Sequence, residues 1–271
     1  MPDGNAGAVA PVLIRQDRDA VAPLLLNRPA ARNGLSLALL DALAATLRDI
    51  AADEAIRCVV IAAEGPVFCA GHDLKEITAH LADPDGGRAF FTDSMARCAA
   101  VMQAIPALPQ PVIAAVQGMA TAAGCQLAAA CDMVIASEAA RFCTPGVDIG
   151  LFCSTPAVAL SRAVPRKAAM EMLLTAEPID AGEARRIGLV NRVVPAAALR
   201  AEAASLAARI ASRSALAVQL GKRSFHRQAG LPLAEAYEVA AAAMVENLLA
   251  EDAAEGIGAF LGRRTPEWRH R

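Results

Sequence analysis

Several common signatures of catalysis and binding are missing from this chain of 271 residues. It has no G-x-G-x-x-G after a predicted strand, no G-x-x-x-x-G-K-[ST], no H-E-x-x-H and no G-x-S-x-G. Its four histidines, at positions 72, 80, 226 and 270, are not at metal-ligand spacing. The sequence therefore predicts neither a metal site nor a permanently bound cofactor.

Charge of one sign is also lacking, because 26 Lys and Arg residues face 28 Asp and Glu residues for a net charge of -2. Such a balance gives no general attraction to nucleic acid or to an anionic membrane, so an anionic ligand would need local basic residues. The first residues, MPDGNAGAVAP, do not resemble a signal peptide, and no apolar run reaches the ~20 residues that span a bilayer. The seven cysteines form no C-x-x-C pair and read as reduced core thiols. We therefore expect a cytoplasmic protein with no nucleic-acid or membrane partner.

What the chain has in quantity is small aliphatic residues: hydrophobic residues make up 55% and aromatic residues only 3%. The length suits one large domain with a core of Ala, Val, Leu and Ile. Short β-rich runs at 12–14, 22–26, 57–63, 111–118 and 133–137 predict strands, and helical patterns lie between them, the first of them capped by Ser36. This alternation predicts an α/β fold with crossover connections. After Pro156 the patterns are helical, and only residues 191–194 look like a strand.

Two loops of small residues follow consecutive predicted strands: FCAGHDL ends at Leu74, and MATAAGCQL opens a helix that contains Gln126. Small side chains leave backbone N–H groups accessible, and a helix N-terminus carries unsatisfied donors and a partial positive charge. Two such N–H groups at one point would stabilise negative charge on a carbonyl oxygen, as in an oxyanion hole. Close packing of helix on strand explains small residues equally well, and both interpretations stay open.

These loops, together with LNRPAARNGLS at 26–36, FCTPGVDIGLF at 142–152 and GIGAFLGRRTPEW at 256–268, resemble the enoyl-CoA hydratase/isomerase (crotonase) family over nearly the whole chain. The resemblance implies a spiral of ββα units over residues 11–200, after a disordered segment at 1–10. It further implies a helical trimerisation region at 201–271, in a homotrimer or dimer of trimers. The substrate would be an acyl-coenzyme A, with coenzyme A present only as part of it.

The resemblance also assigns roles to individual residues. The two oxyanion donors fall on the backbone N–H of His72, just after Gly71, and on that of Ala123, where the family usually has glycine. Alanine keeps the N–H, so the oxyanion hole should survive if φ is negative there. The positions that line the coenzyme A channel are Arg28, Ala30, Ala70 and Leu74, and those that reach a neighbouring subunit's coenzyme A are Phe260 and Arg263. A solvated surface charge is the alternative for Arg263.

Both glutamates that hydratases of this family use are absent. Gln126 occupies the first position and Gly146 the second, and an amide can hold water but cannot exchange a proton near pH 7. General acid–base groups contribute typically ~10²–10⁴-fold in rate, so two-glutamate hydration is doubtful.

Asp148 is the candidate substitute base, because two residues apart on an extended segment it would face the same side as Gly146. A structural aspartate is the alternative. Ser154, at a position where some relatives place an acid, cannot take that role unaided. Cys143 and Cys153 flank the vacant position and lack a paired histidine nearby in sequence, and the His72 side chain is a further candidate for proton transfer.

The sequence thus predicts an acyl-CoA-binding enzyme that stabilises a thioester enolate through His72 and Ala123. Isomerase, decarboxylase or thioesterase chemistry is the first alternative. A non-catalytic acyl-CoA-binding or regulatory protein is the second.

Overall fold

Two β-sheets carry the fold of the computed structural model, which describes residues 10–271. The disordered segment predicted at residues 1–10 lies outside the described residues, apart from Ala10. The main sheet has six strands in the order β1-β2-β3-β5-β7-β10, and the second sheet has four in the order β4-β6-β8-β9. The strands are β1 (Leu13–Arg15), β2 (Val21–Leu26), β3 (Cys58–Ala63), β4 (Val67–Cys69), β5 (Val112–Val116), β6 (Met119–Thr121), β7 (Met133–Ser137), β8 (Arg141–Cys143), β9 (Ile179–Asp180) and β10 (Arg192–Val194).

Helices follow the strand pairs and then dominate the C-terminal third of the chain. They are α1 (Leu37–Ala51), α2 (Leu74–Ala79), α3 (Arg88–Ala107), α4 (Ala123–Ala130), α5 (Ser154–Ala163), α6 (Arg166–Thr175), α7 (Ala181–Arg186), α8 (Leu199–Ala211), α9 (Ala215–Gln228), α10 (Leu233–Leu248) and α11 (Glu251–Leu261). The units β3-β4-α2/α3, β5-β6-α4 and β7-β8-α5 each give one strand to each sheet. The predicted spiral of ββα units with a helical C-terminal region is confirmed.

The main sheet is buried on both faces. Val59 and Ile61 of β3 belong to the larger core cluster, which also includes α1, whereas Cys58 and Val60 face Leu206 of α8 on the opposite side. Near-continuous apolar runs are typical of such doubly covered parallel strands. The predicted division at residue 200 cuts α8, which packs on the sheet, and that division stays a prediction.

Helix α1 begins as its sequence predicts. The Oγ atom of Ser36 accepts a hydrogen bond from the Leu39 N–H at 3.2 Å, which satisfies one of the free donors of the first turn. Leu39, Leu43, Leu47 and Ile50 then form one buried stripe at helical spacing.

The second sheet was not expected from the sequence. Its four strands are only two or three residues long, which is too short for a period of two to be recognised. Strand β9 also corrects the expectation that residues 191–194 form the only strand after Pro156. This second sheet positions the two loops of small residues.

Candidate active site

The two loops meet because β4 and β6 are adjacent and parallel, with Cys69 opposite Ala120. The carboxyl ends of parallel strands lie at the same edge of a sheet. Gly71 follows β4 there, and a Cβ atom added to it would lie 2.9 Å from the Ala122 Cβ and 3.3 Å from the Ala123 nitrogen. The loop after β4 therefore touches the N-terminus of α4, as an oxyanion hole requires.

Each loop presents one free backbone N–H. Residue 72 forms a parallel bridge with Leu35, in which the Leu35 N–H donates to the Gly71 oxygen (2.7 Å) and the Asp73 N–H donates to the Leu35 oxygen (3.2 Å). The intervening N–H of His72 consequently faces away from Leu35. Ala123 is the first residue of α4 and has no partner one turn earlier. Within residues 10–271 neither N–H donates a backbone hydrogen bond.

The backbone strain at this helix start falls on Ala122. Its φ of 51° and ψ of -120° lie in a region that glycine alone adopts readily, whereas φ is negative at Ala123. Ala123 therefore has the negative φ that an alanine at this donor position requires. Hydrogen bonds from the Ala122 N–H to the Cys143 oxygen and from the Gln126 N–H to the Ala122 oxygen, both 3.0 Å, hold the strained residue in place.

Close packing of helix on strand, the alternative explanation for the small residues in this loop, applies to Gly124 rather than to Ala123. A Cβ atom on Gly124 would lie 2.1 Å from the Cys69 oxygen, so α4 can approach β4 only because residue 124 is glycine. In this segment Gly124 serves packing and Ala123 presents its N–H.

Gln126 is buried to 3% exposure, and its Oε1 atom has no hydrogen-bond partner among the described residues. Gln126 lies one turn beyond Ala122, and helical side chains lean toward the N-terminus, so its side chain is directed toward the first turn of α4. An unpaired buried acceptor is costly unless a ligand or water supplies a donor.

The His72 side chain is the second group near the hole with an unsatisfied atom. Its Nε2 is buried without a partner among the described residues, and burial lowers its pKa below the usual value. The imidazole is therefore neutral at pH 7.

The space beside Gly146, the position that the resemblance assigns to the second glutamate, is occupied by atoms of Leu151 and Cys153. A Cβ atom on Gly146 would lie 2.9 Å from the Cys153 Sγ, 3.0 Å from the Leu151 oxygen and 3.1 Å from the Cys153 nitrogen. The segment 151–153 has thus closed over the position from which an acid would project.

Asp148 does not share a side with Gly146. Residues Pro145–Ile149 form a 3₁₀ turn, in which Gly146 is buried and Asp148 is exposed. Residues two apart share a side only on an extended segment, so the geometric reason for choosing Asp148 as the base was wrong.

The remaining polar groups beside Gly146 are poorly suited to proton transfer. Burial raises the pKa of both the Cys143 and the Cys153 thiol, so neither is an activated nucleophile. The Cys143 Sγ lies 3.1 Å from the Thr121 Oγ1, and the exposed Ser154 donates from its Oγ to the Phe152 oxygen at 3.3 Å.

The residues predicted to line a coenzyme A channel are placed in different environments. Ala30 is exposed in a 3₁₀ turn, Ala70 is half-buried just before Gly71, and Leu74 is exposed at the start of α2. Arg28 instead directs its guanidinium inward to Asp73 and to the Gly34 oxygen. No local sequence pattern predicts this contact, because the ion pair joins residues 45 positions apart.

Phe260 and Arg263 lie elsewhere, at the end of α11, which packs on α10. Phe260 is 83% exposed and Arg263 is also exposed. Their predicted contact with a neighbouring subunit's coenzyme A stays a prediction.

Two features of residues 10–271 bear on other classes of function. In that range no three His, Cys, Asp or Glu side chains are grouped so that they could hold a metal ion. None of the helices in it has both the length and the apolar character needed to cross a bilayer.

The fold, the paired N–H groups and the motifs define a class of protein, and comparison with known proteins agrees with it. The profile described as enoyl-CoA hydratase/isomerase matches residues 16–271. The chain belongs to this family.

Particular relatives are similar over most of their length. The rat protein named "Enoyl-CoA hydratase domain-containing protein 3, mitochondrial" is 49% identical over 94% of this chain and 83% of its own. A crystal structure of an enoyl-CoA hydratase from Mycobacterium smegmatis has a TM-score of 0.91 and 49% identity, covering 95% of this chain and 99% of the other. That of human enoyl coenzyme A hydratase domain-containing protein 3 has a TM-score of 0.90 and 47% identity, covering 95% and 100%.

These relatives correct one expectation. The names of the rat, mouse, Xenopus and human proteins all include the word mitochondrial. They point to a mitochondrial rather than a cytoplasmic location, so the cytoplasmic expectation was wrong. The low net charge of the chain does not distinguish these two compartments.

Proposed function

We propose that this protein binds an acyl-CoA thioester and stabilises negative charge on its carbonyl oxygen through the backbone N–H groups of His72 and Ala123. The observation that carries the proposal is the pair of free donors at one sheet edge, brought together by the contact of Gly71 with the start of α4. Donors fixed in advance, in a site that excludes water, stabilise an enolate or tetrahedral oxyanion without reorganising.

The proposed chemistry is polarisation of the thioester and stabilisation of its enolate, not two-glutamate hydration. Gln126 contributes an amide oxygen that can accept from a water or from a hydroxyl of the acyl group. Proton transfer then depends on the substrate, on water or on the neutral imidazole of His72, because the thiols of Cys143 and Cys153 are held protonated by burial.

Comparison of three ligands tests the carbonyl contact: free coenzyme A, an acyl-CoA thioester, and the matched S-alkyl thioether that lacks the carbonyl. We expect the thioester to bind roughly 10-fold or more tightly than the thioether, because two hydrogen bonds are each worth about 0.5–1.5 kcal/mol. Equal affinities, measured by calorimetry, would contradict the proposed hole. A lack of binding by all three would exclude acyl-CoA recognition altogether.

A second function, acyl-CoA binding without catalysis, is favoured by one observation. Atoms of Leu151 and Cys153 crowd the position beside Gly146, and Asp148 is exposed, so the second acid position lacks both a carboxyl group and the room for one. Turnover of a panel of enoyl, 3-hydroxyacyl and carboxyacyl thioesters distinguishes the two functions: substrate loss above the uncatalysed rate supports the enzyme, and tight binding without loss supports the binding protein.

We also propose assembly as a homotrimer or dimer of trimers. Helix α10 has no buried residue, and exposed apolar side chains continue along α10 and α11, namely Leu233, Tyr237, Met244, Val245, Leu248, Leu249, Ile257, Phe260 and Leu261. Patches of this kind mark protein contacts. Sedimentation equilibrium should give three or six times the chain mass, and a monomer at micromolar concentration would contradict the assembly.

A further inference from the structure

Arg28 joins the two chain segments that determine the direction of the His72 N–H. Its Nη2 donates to the Asp73 Oδ2 at 2.8 Å, and its Nη1 donates to the Gly34 oxygen. Gly34 immediately precedes Leu35, which forms the bridge to residue 72, and Asp73 immediately follows that residue. One guanidinium therefore holds both sides of the bridge.

The surrounding hydrogen bonds fix Arg28 itself. The Arg28 N–H donates to the Asn33 Oδ1 at 2.8 Å, and the Nδ2 of the fully buried Asn33 donates to the Glu64 and Val67 oxygens, each at 2.8 Å. These contacts connect the turn at residues 28–34 to the start of β4. Hydrogen bonds thus hold both the backbone of Arg28 and its guanidinium group in place.

The ion pair is shielded from water. The Arg28 side chain is 21% exposed and that of Asp73 is 11% exposed. Burial by itself would raise the pKa of Asp73. The hydrogen bond and charge of Arg28, together with the hydrogen bond from the Lys75 N–H, lower the pKa by more than burial raises it, so the pKa of Asp73 is below its usual value. Asp73 is ionised at pH 7, and removing either partner would leave a mostly buried charge unpaired.

We propose that Arg28 is a positioning residue for the first oxyanion donor, and that it acts through Asp73 and Gly34 rather than by binding the phosphates of coenzyme A. This inference rests on the proposed oxyanion hole. The planar guanidinium directs two N–H groups to two acceptors at once, whereas a lysine ammonium is a single point on a flexible chain. Charge alone at position 28 is therefore insufficient.

The test uses the full-length protein and a chromophoric dienoyl-CoA, whose absorption moves to longer wavelength when its carbonyl is polarised. The variants are Arg28→Lys, Asp73→Asn and their combination. The matched control is Arg192→Lys, because Arg192 forms a half-buried ion pair with Glu202 at 2.6 Å between β10 and α8. Each protein is measured at saturating ligand, and its affinity for free coenzyme A is measured separately.

We expect Arg28→Lys and Asp73→Asn each to reduce the absorption shift at saturation by at least half and to weaken thioester binding about 10-fold. The double variant should lose little more than either single variant, because both break the same contact. Free coenzyme A should bind within about twofold of wild type. Arg192→Lys should leave the shift and both affinities unchanged.

The opposite pattern would overturn the inference: an unchanged shift at saturation together with weaker binding of free coenzyme A assigns Arg28 to the ligand. If Arg28→Lys does not fold, the nearly isosteric Asp73→Asn decides the question by the same measurements. A wild-type protein that binds the dienoyl thioester without any shift refutes the oxyanion hole itself, which is a separate result.

Discussion

The two sides of the candidate site differ in how completely they are built. The donor side, residues 69–73 and 121–126, is largely buried and is held by the Leu35 bridge, the Arg28–Asp73 ion pair and the packing of Gly124 on Cys69. The acid side, residues 143–153, has an exposed 3₁₀ turn and a backbone that closes on Gly146. If the proposed function holds, the side that polarises the carbonyl is therefore held by many contacts, whereas the side that would move a proton is not.

The largest expected effect is on the donor side, from Gly71→Ala. Residue 71 has a φ of 85°, and its added Cβ would lie 2.9 Å from the Ala122 Cβ, so the two donors must separate. We expect the preference for thioester over thioether to fall to about one, with a loss of stability of about 1–3 kcal/mol. Gly86→Ala is the matched control, since its φ is 66° and nothing lies within 4 Å of its added Cβ. An unchanged preference for thioester over thioether in Gly71→Ala would show that the contact of Gly71 with the start of α4 does not position the two N–H donors.

The next effect is expected from combining Gln126→Glu on the donor side with Gly146→Glu on the acid side, which places a carboxyl group at both positions. Because the Gly146 Cβ would meet Cys153 and Leu151, we expect Gly146→Glu to cost about 1–3 kcal/mol of stability. Crotonyl-CoA hydration should rise by less than the ~10²-fold that one acid–base group typically supplies. Gln126→Glu alone is the control for the first position. A gain above that value, with unchanged melting temperature, would mean that only the side chains are missing.

A smaller, stabilising effect is expected from Ala122→Gly on the donor side. Relief of a strained φ is worth about 1–3 kcal/mol, and the greater freedom of glycine in the unfolded chain offsets about 0.4–1 kcal/mol of it. A net gain of ~1 kcal/mol should raise the melting temperature by roughly 2–4 °C in calorimetry. A fall of similar size would show that the Ala122 methyl group contributes more by packing than the strain costs.

The pH dependence of stability offers a more modest test of the donor side. The pKa of Asp73 is lowered in the folded protein, so its contribution is fully present above the unfolded value of about 3.9 and is lost as the pH falls through the folded value. The difference in melting temperature between wild type and Asp73→Asn should therefore be larger at pH 7 than at roughly pH 3. A difference that does not shrink on acidification would contradict the role of the ionised carboxylate.

The smallest effect is expected from Asp148→Asn. Its side chain is exposed in the 3₁₀ turn, so we expect thioester affinity, any turnover and stability to remain within about twofold or ~0.5 kcal/mol of wild type. A loss of turnover of 10²-fold or more would restore Asp148 as the base and would make the acid side functional.

Features that depend on residues close together in the sequence were predicted, whereas features that depend on contacts between distant segments were not. The buried runs of β3, β5 and β7, the cap at Ser36 and the loops that hold Gly71 and Ala123 were predicted, because each depends on residues that are neighbours in sequence. The strands of the second sheet were missed, since two or three residues show no period. Asp148 was misplaced because its orientation depends on whether the local backbone is extended or turned.

The sequence by itself therefore determined the family and predicted the strands of the main sheet, the helices between them, and His72 and Ala123 as the candidate N–H donors. Only the tertiary structure decided that Arg28 is paired with Asp73 rather than directed to solvent, that Ala122 carries the strain instead of Ala123, and that Leu151 and Cys153 fill the space beside Gly146. The physical reason is that each of these facts is a contact between segments distant in sequence or a backbone angle imposed by such contacts. Local composition and residue spacing do not predict such contacts or the backbone angles that they impose.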